Sequence, residues 1–238
     1  MRLISFVFKK NFLIFFLIFS LQAPLSFGYS FRSYGQHIGE GIRNSFDNPS
    51  WLAAAGVIAL SYRFDKTVQK RFMGKLLPEK VSFIADQYGK GYNWLAANAY
   101  IIGEGAINDR PQKEALENLQ TMAEAYFINA VFTYVLKFSV KRKRPGSHNR
   151  LSFPSGHTSS SFVVAATLNQ LYGKNMGIPA FLMASVTGLQ RIHKNKHWLS
   201  DVLAGALLGT LVGNGFGKLK KDERSEQRPI VLYFAFQF

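Results

Sequence analysis

Apolar residues along this chain fall into blocks of helical length, with proline and glycine concentrated between the blocks. Six such blocks run over Trp51–Tyr62, Trp94–Ile107, Thr121–Val140, Ser159–Tyr172, Ile178–Leu189 and Val202–Phe216. Pro78, Pro111, Pro145-Gly146, Pro154, Gly173 and Pro179 lie between or at the edges of them. Proline cannot donate a backbone hydrogen bond and glycine tolerates conformations that end a helix, so these positions predict helix boundaries. Alternation with a period of two residues is nearly absent before residue 229. The pattern therefore predicts an all-α bundle of about six core helices.

The two ends differ from this middle. Residues 1–28 open with Arg2, Lys9 and Lys10, continue with the ten-residue apolar run Phe12–Leu21, and close on Ser26-Phe27-Gly28. A basic start, a short apolar stretch and small residues before a cut site predict a signal peptide cleaved after Gly28. Residues 29–50 read as a polar, glycine-dotted lead-in, 51–220 as the helical domain, and 221–238 as a tail. The tail ends in an aromatic, strand-like run with Phe234, Phe236 and Phe238. None of the six blocks offers the ~20 uninterrupted apolar residues of a standard membrane span. Glu104, Glu124, Lys137 and Asn169 interrupt them. The expectation is an exported, periplasmic domain held peripherally at a membrane, with an integral membrane bundle as the alternative.

Composition narrows the partners. At 238 residues the chain has room for one good-sized domain, and a hydrophobic content of 47% excludes a disordered one. The formal charge is +15, and removal of the predicted signal would leave +12. A balance this basic points to an anionic partner, here a phosphate-bearing substrate and an anionic membrane surface. No zinc-finger spacing, RNA-binding signature or basic heptad helix accompanies it, so nucleic acid is not expected. With no cysteine there is neither a disulfide nor a thiolate metal site. No metal-ligand pattern or cofactor motif is present either, so no cofactor is expected.

Three clusters in the second half carry chemistry. The first is Lys137 with Arg144-Pro145, seven residues on (KFSVKRKRP); the second is Pro154-Ser155-Gly156-His157. The third is Arg191, His197 and Asp201 (RIHKNKHWLSD). Trp198 onward reads as a helix, which puts His197 and Asp201 one turn apart on the same face. A carboxylate there can accept the Nδ1–H of the imidazole and leave Nε2 free as a nucleophile. Ser155 reads as a helix N-cap and Gly156 as a place for close approach, so the turn offers first-turn amides to an anion. His157 at that end suits a general acid. Lys137, Arg144 and Arg191 supply three cations, the last a planar fork for two phosphate oxygens. Lys141, Arg142 and Lys143 read as a solvated basic face, and His37, His148 and His193 as surface residues. Gly205, Gly209, Gly213 and Gly217 continue the stripe of His197 and Asp201. Glycine costs about 1 kcal/mol in a helix interior, so this register predicts close helix–helix approach beside the site.

These three motifs, in this order, resemble the type 2 phosphatidic acid phosphatase family, which also takes in class A acid phosphatases and vanadium haloperoxidases. The resemblance covers about residues 120–217. It implies a helical bundle and metal-independent hydrolysis of a phosphate ester through a phosphohistidine. His197 would be the nucleophile, Asp201 its orienting partner and His157 the general acid. Lys137, Arg144, Ser155, Gly156 and Arg191 would bind the phosphate. Gln190 departs from the family, which usually has serine before this arginine. The run Asp201–Gly205 with Gly209 resembles the lipid-phosphate branch, implying a lipid-linked phosphate or diphosphate as substrate. The alternatives are a soluble periplasmic acid phosphatase of broad specificity, a vanadate-dependent peroxidase, and a non-catalytic basic module on membrane surfaces.

Overall fold

The structure is a computed structural model that describes residues 31–226. Among them are nine α-helices and no strand: α1 Phe31–Phe46, α2 Ser50–Ser61, α3 Asp65–Phe72, α4 Glu79–Gln87, α5 Asn93–Ile107, α6 Gln112–Val140, α7 Gly156–Tyr172, α8 Lys174–His193 and α9 Leu199–Glu226. A 3₁₀ turn, Tyr62–Phe64, joins α2 to α3, and a π-helical turn, Tyr88–Tyr92, joins α4 to α5. The six apolar blocks form α2 and α5–α9 or the greater part of them. The predicted signal peptide and the aromatic strand-like run lie outside the described residues.

The structure differs from the sequence pattern at four places. The polar lead-in over 29–50 is largely helix α1, which packs on α9. Its apolar stripe is thin, but Gly41 lets the Phe216 ring approach so closely that a Cβ there would lie 2.6 Å from Cε1. The stretch between the first two blocks folds into α3 and α4, short polar helices whose partners are far away in sequence. The last helix passes residue 220 and runs to Glu226. Pro179 does not start α8 but sits inside it. The carbonyl it leaves without a donor, on Asn175, belongs to an exposed residue, where water can serve it.

The glycine stripe explains the centre of the fold. A Cβ at Gly205 would lie 2.6 Å from the carbonyl oxygen of Ser155, and one at Gly213 would lie 2.6 Å from that of Val163. At Gly209 it would run into Ser159 O, and at Gly217 into the Gln170 side chain. Backbone of α9 thus rests on backbone of α7 along four turns, the close approach that small residues permit. Around this pair, Ile101, Met122, Val163, Val164, Val212 and Phe216 form the buried core. Leu199–Asp222 is the one described stretch long and apolar enough to cross a membrane, and it is mostly buried by its neighbours. Other apolar side chains face outward, among them Val57 and Leu60 of α2, Ile102 of α5, Phe138 of α6 and Leu182 of α8.

Candidate active site

The loop between α6 and α7 and the turn between α8 and α9 meet at one end of the α7–α9 pair. Ser155 caps α7: its hydroxyl accepts from Thr158 Oγ1 at 2.8 Å, and its own amide donates to Asp201 O at 2.9 Å. That second bond ties the Pro154–His157 turn directly to the helix carrying Asp201. Ser159 bonds Asn129 Oδ1 at 2.6 Å and Thr133 Oγ1 at 2.9 Å, fixing α7 against α6. A Cβ at Gly156 would make only ordinary contacts, 3.7 Å from Lys137 Cε and Thr133 Cγ2. The glycine therefore leaves room in front of the first-turn amides without being demanded by close packing.

Lys137, buried in the last turn of α6, donates to Pro154 O at 2.5 Å and to Leu151 O at 3.0 Å. It holds the turn that carries Ser155 as well as lending charge. Arg144 reaches Leu151 O only at 3.5 Å, and its Nε has no hydrogen-bond partner. Arg191 is buried and gripped from two sides, with Nε donating to Gln190 Oε1 at 2.6 Å and Nη2 bonded to Asp86. Gln190, the departure from the family pattern, thus fixes the plane of the guanidinium.

His197 is almost fully buried. Its Nδ1 lies 3.6 Å from Asp201 Oδ2, longer than a hydrogen bond, a distance that catalytic pairs often show before substrate binds. The carboxylate of Asp201 is occupied by others: Ser152 Oγ at 2.5 Å and the Trp198 amide at 2.9 Å on Oδ2, and Arg142 Nη1 at 2.6 Å on Oδ1. Burial, together with the charges of Arg144 and Lys137, outweighs Asp201 and lowers the His197 pKa to about 4. The ring is therefore neutral, as a nucleophile must be. His157 is pushed well below the ordinary histidine value by burial and by Arg191, with Asp86 opposing. Its Nε2 has no hydrogen-bond partner, nor has Nδ1 of His197. Arg144 Nε and His157 Nε2 are thus unmet buried polar atoms of the proposed site that a bound anion can satisfy, whereas Nδ1 of His197 faces Asp201.

Two groups of functional residues escape sequence reasoning. Arg142 does not lie on a solvated face. Its guanidinium joins Asp201 to Asp65, with Nη2 2.5 Å from Asp65 Oδ2, and lies 4.6 Å from the Tyr62 ring centre and 5.7 Å from that of Trp198. Asp65 also accepts from the Ser200 amide at 2.9 Å and the Ser200 hydroxyl at 2.7 Å. A carboxylate–guanidinium–carboxylate chain therefore stands behind His197. Asp86 is the second omission. The sequence carries no signal for either acid, because their partners stand on distant segments.

Two histidines read as surface residues are also placed differently. His193 is buried, and its Nδ1 accepts from the amides of Leu76 and Leu77 at 3.2 and 3.4 Å. His37 pairs with the buried Glu124 at 3.0 Å. His148 is exposed, as expected. Among the described residues, no group of three or more His, Cys, Asp or Glu side chains is placed to hold a metal ion.

Comparison with known proteins agrees with this geometry. Residues 118–224 match the model of the PAP2 superfamily. A lipid A 1-phosphatase of Porphyromonas gingivalis is 42% identical over 80 residues, a match covering 32% of this chain and 18% of that protein. An undecaprenyl-diphosphatase of Sulfolobus acidocaldarius is 26% identical over 155 residues, covering 58% of this chain and 71% of that protein. The crystal structure of the first transmembrane PAP2 type phosphatidylglycerolphosphate phosphatase from Bacillus subtilis shares the fold. Its TM-score is 0.57 at 24% identity, over 74% of this chain and 94% of that one. The helical fold and the motif order agree with the match of residues 118–224 to the PAP2 superfamily.

Proposed function

We propose that this protein is a lipid-phosphate phosphatase that works without a metal, through a phosphohistidine on His197. The observation that carries the reading is the convergence of His197, His157, Arg144 and Arg191, with unmet polar atoms on His157 and Arg144. The first-turn amides of α7 lie beside them. In the first step Nε2 of His197 attacks phosphorus as the ester P–O bond breaks. The departing oxygen takes a proton from His157. In the second, water gives a proton to His157 and its oxygen attacks phosphorus. The N–P bond breaks, orthophosphate leaves and His197 is neutral again. Charge that builds on the equatorial oxygens meets Arg144, Arg191, Lys137 and the helix N-terminus, fixed before reaction begins. An incoming phosphate also adds negative charge beside His157, which raises its proton affinity when a proton is needed.

The names of the relatives, a lipid A 1-phosphatase and an undecaprenyl-diphosphatase, support a lipid-linked phosphate or diphosphate as substrate. So do the outward apolar side chains of α2, α5, α6 and α8, which suit contact with acyl chains. The excess of basic residues favours an anionic membrane surface on the exported side.

The test is phosphate release from a panel of lipid and water-soluble phosphates, with chelator present. Turnover should persist in chelator, favour lipid phosphates and fall by at least about 10⁴-fold in His197→Ala. Chelator-sensitive turnover, or a His197→Ala enzyme retaining a few per cent of activity, overturns the reading.

A further inference from the structure

Asp86 is an unexpected neighbour for a phosphate site. It lies in the last turn of α4, and its carboxylate bonds Arg191 Nη2, meets Lys90 Nζ at 2.5 Å and lies 3.9 Å from His157 Nε2. The following turn is built to bring it there. Gly91 adopts φ +122, which glycine alone takes comfortably. Gly89 passes so close that a Cβ would lie 2.8 Å from His157 Cδ2 and 2.8 Å from Thr187 Cγ2. A side chain at position 89 would push this segment off the imidazole.

We infer that Asp86 is a positioning carboxylate for His157 and, at the same time, a built-in competitor of the substrate's phosphate for Arg191. The inference rests on the phosphohistidine reading above and deepens it. Asp86 faces Arg191 of α8, His157 of α7 and Lys90 of its own turn. His157 in turn faces Arg191, Asp86, His197 and Lys90. Within that set Asp86 is the only anion, so it supports the protonated imidazole that the leaving oxygen requires. It is also a negative charge held on the guanidinium that must grip a phosphate, and like charges a few ångströms apart repel. A carboxylate serving phosphate affinity alone would be misplaced here. One serving the acid, and easing release of orthophosphate, is well placed.

The two roles predict opposite changes in one variant. Asp86→Asn, checked for folding by its melting curve, should bind orthophosphate and vanadate roughly tenfold tighter by calorimetry. Its kcat should fall more on an alkyl phosphate than on a nitrophenyl phosphate. The loss of kcat as pH rises should begin at lower pH, because His157 then gives up its proton more readily. Asp86→Glu should restore weaker anion binding and much of the rate, and Asp86→Ser should behave like Asn should the amide disturb folding. Unchanged or weaker anion binding in both Asn and Ser variants overturns the inference. So does an equal loss on both leaving groups with an unmoved pH limb, which is the mark of a merely structural residue. A wild-type protein that binds neither anion overturns the phosphate-site reading itself, and the inference with it.

Discussion

The site contains two histidines, each beside a carboxylate, and the two pairs are built differently. Behind His197 the carboxylate belongs to a closed network: Asp201, fully buried, is held by Ser152, the Trp198 amide and Arg142, and Arg142 is held in turn by Asp65. Beside His157 the carboxylate is half-open. Asp86 stands on a short helix before an irregular turn, shares its charge with Arg191 and Lys90, and keeps 24% of its side-chain surface exposed. The first arrangement suits a group that must stay neutral and aimed. The second suits one that must release a proton in the first step and take one up in the second. Burial and wiring thus separate the proposed nucleophile from the proposed acid although both are imidazoles.

That comparison is open to attack from either side. Truncating the acid, His157→Ala, should lower kcat by ~10²–10⁴-fold on substrates with poor leaving groups. It should have far less effect on nitrophenyl phosphate; equal losses on both would remove His157 from the proton-transfer role. On the other side, Arg142→Ala leaves Asp65 and Asp201 buried without their shared cation. Breaking a buried pair in this way typically costs about 3–5 kcal/mol, to be read from denaturant unfolding. The activity of whatever folds should fall as well, since Asp201 loses its anchor. A smaller effect is expected at the α7–α9 contact: Gly205→Ala drives a methyl against Ser155 O, at a cost of roughly 1–3 kcal/mol. Because Ser155 caps α7, anion affinity should weaken too. Wild-type melting and anion binding in that variant would contradict the docking.

A further effect is on stability against pH. The folded His197 pKa, about 4, lies below its ordinary value of 6.5. Between those values the unfolded chain takes up a proton that the folded one refuses. The contribution of this group is therefore complete above pH ~6.5 and falls as pH drops, by at most about 1.4 kcal/mol per unit, flattening below pH ~4. His197→Ala should remove that part of the slope, measured by unfolding midpoints across the range.

The second half of the site was legible in sequence because its chemistry sits in short motifs with local logic. Ser155 precedes a helix, His197 and Asp201 are one turn apart, and glycines in line with them mark a close contact. Arg142 was misread because a run of basic residues usually faces water, and nothing local announces Asp65, which lies 77 positions away. Asp86 is hidden for the same reason, 105 positions from Arg191. Helices α3 and α4 are too short and polar to show a hydrophobic period; they exist because their side chains finish polar networks made by α6–α9. His193 looked like a surface residue because the amides it receives, those of Leu76 and Leu77, belong to a loop with no pattern of its own.

The central claim is covalent, and trapping the covalent species tests it most directly. Full-length protein mixed with a phosphate ester and quenched in alkali, where phosphohistidine survives, should carry a phosphoryl group on His197 by peptide mass spectrometry. His157→Ala, slowed in both steps, should still show the modification at that residue, and His197→Ala should show none. A phosphoryl group on another side chain, or full turnover with no phosphoenzyme and undiminished activity in His197→Ala, would contradict the account.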